Sequence, residues 1–358
     1  MYHEHKHILM TGGGTLGPVT PLLALAEVWK EQDSSVVFSW IGTEHGPESD
    51  LIEEKDISFY SLSAPKLDRY KKLSWLLVVP QLVMSCVRAF ALLKNIQPHM
   101  VFTAGGYVSV PIVIVAWMMR IPCWVHQLDV TPGIANRVMA PFAKRISVTW
   151  EESAESFSKR KTEVVGGLIR PYLLDGDSEL FKDIFELDTN KPTVAVFGGG
   201  TGATAINETL EAIISDLQQR MNVIHLAGKG KLDEKLVESK GTYVAREFFT
   251  NMADLYAAAD LVVARAGMGT ILEVAALRKP TILIPIPNSH QEANAKLLGD
   301  REAAIVIDQL NPQVLKQEIE KMMFQSDLRQ RMIKNLRSLL PMHGAGKIIN
   351  AANAILKR

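Results

Sequence analysis

With 358 residues, the chain has room for about two domains at roughly 150 residues each. A hydrophobic content of 47% beside 22% charged residues supplies sizeable cores and excludes a disordered chain. The formal net charge is zero, which excludes the basic excess of a dedicated nucleic-acid binder.

The polar opening MYHEHKH reads as a solvated tail, so no signal peptide is expected, and the alternating His3, His5 and His7 are not assigned a metal. The first strand, HILMT, runs into the glycine turn GGGTLGP (Gly12 to Pro18) and then the helical pattern PLLALAEVWKEQ. Strands follow at VVFSWIG, ISFYSL, HMVFTAGG, CWVHQL and RISVTW. Near-continuous apolar strands alternating with helices predict a parallel sheet covered on both faces. The apolar run LSWLLVVPQLVMSCVRAFALL, residues 73–93, is long enough to span a bilayer. Pro80, Gln81 and Arg88 interrupt it, and it falls where a crossover helix is required. Its neighbourhood carries Lys66, Arg69, Lys71, Lys72, Arg88 and Lys94 against Asp68, so it reads either as a core helix or as one resting on an anionic leaflet. Cys86 and Cys123 stand in apolar surroundings and read as buried thiols of a reducing compartment.

The pattern weakens across GGLIRPYLLDGDSELFKDIFELDTNKP (residues 166–192), which reads as an interdomain hinge. The D-x-D sequence Asp175-Gly176-Asp177 lies there and reads as a solvated turn rather than a metal site. Alternation restarts with TVAVFGGG, NVIHLAG, YVARE, DLVVARAG, TILIPIP and AAIVID. The fold class is therefore α/β, with two Rossmann-like doubly wound parallel-sheet domains expected to face a cleft.

Three glycine turns end strands, at Gly12 to Gly17, Gly198 to Gly202 and Ala264 to Thr270 (ARAGMGT). Glycine lets a backbone approach a ligand closely, and the helix that follows offers free N–H groups and a positive dipole end to phosphate. The first two turns satisfy G-x-G-x-x-G/A, which raises a nicotinamide or flavin oxidoreductase as one reading. That reading wants an acidic residue at the end of the second strand, where Gly42 and Thr43 precede Glu44.

ARAGMGTILEVAALRKPTILIPIPNSHQEANAKLL carries a resemblance, together with the opening glycine loop, SAPKLDRY, GGYVSVP, TPGIANR, IRP, FGGGTGATAIN and HLAGKG. In order and spacing these pieces resemble the MurG family, glycosyltransferase family 28, over nearly the whole chain. The resemblance implies the GT-B architecture: an acceptor domain at residues 1–166 with 341–358 returning to it as a helix, and a UDP-sugar domain at 167–340. It implies inverting transfer of N-acetylglucosamine from UDP-N-acetylglucosamine to a polyprenyl-diphosphate-linked acceptor, lipid I, at the cytoplasmic face of the membrane, with no metal and no cofactor. For the donor it implies Arg170, Gly200, Thr201, Phe249, Gly267, Met268, Gly269, Thr270, Glu273, His290 and Gln291. Glu273 is to take the ribose hydroxyls, a diol suited to a carboxylate, and the backbone of Phe249 the uracil edge. For the acceptor diphosphate it implies Gly14, Thr15, Gly17, Gly106, Tyr107 and Asn136.

The chain departs from the family where chemistry is expected. Leu16 and Pro18 stand in the first loop for a glycine and a histidine, and HQLD (His126 to Asp129) stands for H-E-Q-N. Gly167 replaces an asparagine before the hinge arginine, and Gly200 a serine. A proline shuttles no protons, so the expected base is Asp129 with His126 as orienting partner or substitute. A second reading makes Asp129 the cap of the helix that follows. Three alternatives stay open: a divergent glycosyltransferase with another lipid or glycan acceptor, a sugar-nucleotide-binding protein without catalysis, and the oxidoreductase.

Overall fold

The structure is a computed structural model that describes residues 6–66, 75–199, 202–232, 239–341 and 343–357. The chain divides into two compact units, Met1–Arg170 with Pro341–Arg358, and Pro171–Leu340.

The N-terminal unit runs β1 (His7–Thr11), α1 (Thr20–Gln32), β2 (Val37–Gly42), α2 (Glu48–Glu53), β3 (Ser58–Ser61), α3 (Trp75–Ile96), β4 (Met100–Thr103), α4 (Ser109–Met118), β5 (Cys123–Gln127), α5 (Ile134–Met139), β6 (Arg145–Val148), α6 (Glu151–Ala154) and β7 (Thr162–Val164). Its seven strands pair in the order β3-β2-β1-β4-β5-β6-β7, with parallel registers such as Leu9 opposite Ser39 and Val101. The central strands are apolar on both faces, which fits two flanking cores. One gathers Trp29, Phe38, Phe102 and Trp124; the other gathers Leu93, Ile112, Val125 and Val148. Strand β7 was not foreseen: TEV has no apolar run, as befits the edge of a sheet. The crossover from β3 to β4 is α3, with Pro80 inside it. Among the described residues no helix is long and apolar enough to cross a membrane.

The C-terminal unit runs from a 3-10 turn at Pro171–Asp175 through α7 (Ser178–Phe185), β8 (Thr193–Phe197), α8 (Thr204–Glu211), α9 (Ile214–Arg220), β9 (Asn222–Leu226), β10 (Tyr243–Arg246), α10 (Met252–Ala258) and β11 (Leu261–Ala264). It continues with α11 (Met268–Ala276), β12 (Thr281–Leu283), α12 (His290–Asp300), β13 (Ile305–Val306), α13 (Pro312–Phe324) and α14 (Ser326–Leu339). Its six strands are ordered β10-β9-β8-β11-β12-β13 and parallel. The chain then returns to the N-terminal unit as α15 (Gly344–Leu356), whose Ile348, Ile349 and Ala352 join the core of Leu22, Leu25 and Trp29. Gly166 makes the return feasible: at φ +90° it leaves no room for a Cβ beside the Pro341 carbonyl, which accepts from Gly167 N–H at 2.9 Å.

Strand order reverses between β1 and β4 in the first sheet and between β8 and β11 in the second. Crevices form at the carboxyl ends of strands at such switch points. The turns after β1 and β4, and after β8 and β11, are the glycine turns and GGY segment singled out from the sequence.

Candidate active site

In the N-terminal unit the two switch-point turns pack directly on each other. A Cβ on Gly106 would stand 3.1 Å from the Gly13 carbonyl oxygen, and one on Gly14 would stand 3.0 Å from the Tyr107 ring. Gly14 and Gly106 both have positive φ, +80° and +94°, so glycine is required for conformation as well as space. Pro18 closes the loop against Gly12, 3.4 Å from where its Cβ would lie. Thr15 and Gly17 are exposed on the same loop. Beneath it lies Glu48, which the sequence reading missed. Its carboxylate is fully buried and accepts from Gly14 N–H (3.1 Å), Thr43 N–H (2.7 Å) and the Thr43 hydroxyl. The expectation for Gly14 is thereby corrected: its N–H is engaged inside the protein and is not offered to a phosphate. Burial, and then the carboxylates of Glu48 and Glu44, push the Tyr107 phenol up from its ordinary pKa.

Asn136 and His126 are also corrected. Asn136, 4% exposed, donates both amide hydrogens inward, to the His126 carbonyl at 3.1 Å and Gln127 Oε1 at 2.6 Å. This fixes the amide with Oδ1 toward Gly105, where it has no hydrogen-bond partner. An acceptor oxygen has nothing to donate to an ionised diphosphate, and this one is buried. His126 is 1% exposed, with Nδ1 at 2.9 Å from the Ser147 hydroxyl and Nε2 at 3.3 Å from that of Thr149. Burial lowers its pKa to about 4. It is a core group of β5, without the access that a proton-transferring partner needs. Asp129 is half-buried just beyond β5. Its carbonyl accepts from Gln127 Nε2 at 2.7 Å and from the Ser153 hydroxyl at 3.1 Å. The helix-cap reading of Asp129 does not hold, because α5 is capped by Gly133.

In the C-terminal unit the third glycine turn enters α11 through Gly267, in extended conformation. Gly267, the N-cap, has no side chain with which to cap this helix, and no acidic residue occupies its first turn, so the helix's own first turn does not offset its N-terminal dipole end. Met268 is a buried side chain, so only its backbone can face a ligand, while Gly269 and Thr270 are half-buried. Glu273, half-buried, follows on α11 and accepts from the Tyr256 hydroxyl at 2.8 Å. Gln291 Nε2 lies 3.8 Å from where a Gly267 Cβ would stand, and Gln291 Oε1 accepts from Ile286 N–H at 3.2 Å. The fully buried Asn294 ties α12 to the turn by donating to the Ala266 carbonyl at 3.3 Å. His290 opens α12 and is exposed. The turn thus sets Gln291 beside Gly267, with Glu273 further along the same helix.

The remaining expected residues belong to other segments of the chain or fall outside the description. Phe249 leads into α10 and packs edge-on against Phe185. Arg170 is the last residue of the N-terminal unit. Gly200 and Thr201 lie outside the described residues. At the end of the second turn Gly202, at φ +70°, leaves no space for a Cβ against the Ala227 carbonyl. Asp177 of the D-x-D sequence caps α7, accepting from Glu179 and Leu180 N–H at 3.0 Å each. Among the described residues no group of three His, Cys, Asp or Glu side chains is placed to hold a metal.

Known proteins match this chain along both units. The glycosyltransferase family 28 N-terminal domain matches residues 8–148, and the family 28 C-terminal domain residues 193–345. A UDP-N-acetylglucosamine–N-acetylmuramyl-(pentapeptide) pyrophosphoryl-undecaprenol N-acetylglucosamine transferase of Legionella pneumophila is 37% identical over 338 residues, 92% of each chain. One of the same name from Clostridium perfringens is 36% identical over 355 residues, 98% of this chain and 96% of the other. The crystal structure of Acinetobacter baumannii MurG superposes with a TM-score of 0.73 at 25% identity, over 97% and 98% of the two chains. The calicheamicin glycosyltransferase CalG4 shares the fold, with a TM-score of 0.69 at 16% identity over 99% of each.

Proposed function

The chain belongs to glycosyltransferase family 28, and from that membership we propose that it transfers N-acetylglucosamine from UDP-N-acetylglucosamine to the N-acetylmuramyl-pentapeptide of lipid I, forming lipid II. The observation that carries this reading is the glycine entry into α11, with Glu273 on the same helix and Gln291 beside Gly267.

The backbone N–H groups of Met268 to Thr270 face the donor diphosphate. Fixed dipoles aimed at the leaving group need no reorganisation as charge develops on UDP. Glu273 takes the ribose diol, the backbone of Phe249 the uracil, His290 and Gln291 the sugar hydroxyls, and Arg170 the diphosphate. The acceptor diphosphate is taken by the exposed Thr15 and Gly17 with Gly106 and Tyr107. The reaction is a single in-line displacement that inverts the anomeric carbon, and a base must take the acceptor hydroxyl proton as the bond forms. Asp129 is that base: its backbone is held from two sides by Gln127 and Ser153, and neither Pro18 nor the sealed His126 competes for the role.

Peripheral attachment to the cytoplasmic face of the membrane is part of the same proposal. Val79, Val83, Val87 and Phe90 form one exposed stripe along α3, and Trp117 and Met118 are exposed at the end of α4. An apolar stripe beside Arg88 and Lys94 suits an anionic interface.

The deciding experiment supplies labelled UDP-N-acetylglucosamine with lipid I, and separately with simpler polyprenyl-diphosphate and diacylglycerol acceptors, in EDTA throughout. Product on lipid I is expected. Product on another acceptor alone would replace the substrate assignment, and failure to turn over or bind the donor would overturn the function.

A further inference from the structure

We infer that Tyr256 is a positioning residue for donor binding: its hydroxyl orients the Glu273 carboxylate so that the site distinguishes ribose from deoxyribose. The inference rests on the assignment of Glu273 to the ribose diol and deepens it.

Tyr256 sits on α10 with its side chain fully buried, the Phe197 ring standing edge-on at a centroid distance of 6.0 Å. A buried phenol needs a partner for its O–H, and this one reaches Glu273 Oε2 on the neighbouring helix at 2.8 Å. Glu273 is half-buried, so the bond ties a core group to a carboxylate at the edge of the candidate site. A glutamate carboxylate left to itself rotates broadly about its last torsion. A diol is recognised only when both carboxylate oxygens lie near the plane of the two hydroxyls. The charge-assisted bond from a rigid ring selects one such plane before the ligand arrives. Tyr256 also links two donor contacts: Phe249, at the lead-in to α10, packs against the same core cluster. Uracil and ribose recognition are thus mounted on one helix and its partner.

The test compares kcat/KM for UDP-N-acetylglucosamine with that for its 2′-deoxyuridine counterpart, in the unmodified protein, in Tyr256→Phe and in Glu273→Gln. The unmodified protein is expected to prefer the ribose donor by about tenfold, the scale of one hydrogen bond to a charged group. In Tyr256→Phe that preference should fall to about twofold or less, with the loss carried by KM rather than kcat. Preference retained in Tyr256→Phe but abolished in Glu273→Gln overturns the role of Tyr256 and leaves that of Glu273 standing. No preference in the unmodified protein overturns the assignment of Glu273 and the present inference with it. A second measurement needs no variant. With tyrosine-selective labelling, the Tyr256 hydroxyl resonance should shift on binding UDP and move less with 2′-deoxy-UDP. An unmoved resonance in the UDP-saturated protein overturns the inference.

Discussion

Removing the carboxylate of Glu48 tests what holds the first glycine loop in shape. The side chain is fully buried and accepts three hydrogen bonds, two from backbone N–H groups and one from the Thr43 hydroxyl. Glu48→Ala deprives all three donors of their acceptor; the two of Thr43 are buried and cost about 1–3 kcal/mol each when unpaired, while the exposed Gly14 costs less. Water entering the vacated space recovers part of this, so a net loss of about 4 kcal/mol is expected. Glu48→Gln keeps the volume and one acceptor but turns an NH2 toward the Gly14 N–H, and should lose about half as much. In a unit of this size 1 kcal/mol moves a melting midpoint by about 2–4 °C, so Glu48→Ala should lower the N-terminal unit's midpoint by roughly 8–16 °C. Calorimetry on the full chain reads this, with the C-terminal unit's transition as internal reference. A freed Gly14 loop should also raise KM for the acceptor more than KM for the donor. A stability loss below about 1 kcal/mol in Glu48→Ala would refute the reasoning, because buried donors cannot lose a charged acceptor so cheaply.

Two buried imidazoles set an acid limit. Burial lowers the pKa values of His126 and His225 to about 4, below the ordinary imidazole value of 6.5, so the unfolded chain binds protons that the folded one refuses. Stability should therefore be full above about pH 6.5 and fall toward pH 4, by on the order of 3 kcal/mol per histidine; imidazoles seen charged at pH 5.5 in the folded protein would contradict this. Gly166→Ala places a Cβ against the Pro341 carbonyl at φ +90°, and should cost about 3 kcal/mol or more and speed amide exchange in α15. Unchanged exchange there would count against the packing argument. Asp129→Asn should cut kcat by 10²–10⁴, the usual loss of a general base. Turnover within about threefold of the unmodified enzyme would remove Asp129 from that role.

The central strands were legible because a parallel sheet buried on both faces must be written in apolar runs, as in TVAVF and LVVA. Edge strand β7 was not, because one covered face leaves no continuous pattern. His126 was misread from its neighbours. It lies within a strand whose five residues are all buried, and a strand without a solvent face gives its histidine no solvent to meet. The signal was in the sequence, since RISVTW supplies the hydroxyls of Ser147 and Thr149 to such a histidine on the adjoining strand. Glu48 had no comparable signal. In GTEHGPES nothing separates it from Glu44, and what buries it is a contact with Gly14 across 34 positions.

That contact also explains why three similar turns differ in what they can do. The first has a carboxylate seated beneath it that occupies the Gly14 N–H, leaving its exposed edge at Thr15 and Gly17. The second meets Ala227 at Gly202, a glycine with no room for a side chain. The third differs from both: its helix begins at a glycine and carries no acid in its first turn. Its carboxylate stands further along the helix and is steered by a phenol from the side. A glycine motif specifies where a backbone can approach closely; whether its N–H groups reach a phosphate is decided by which distant acidic side chain reaches them first.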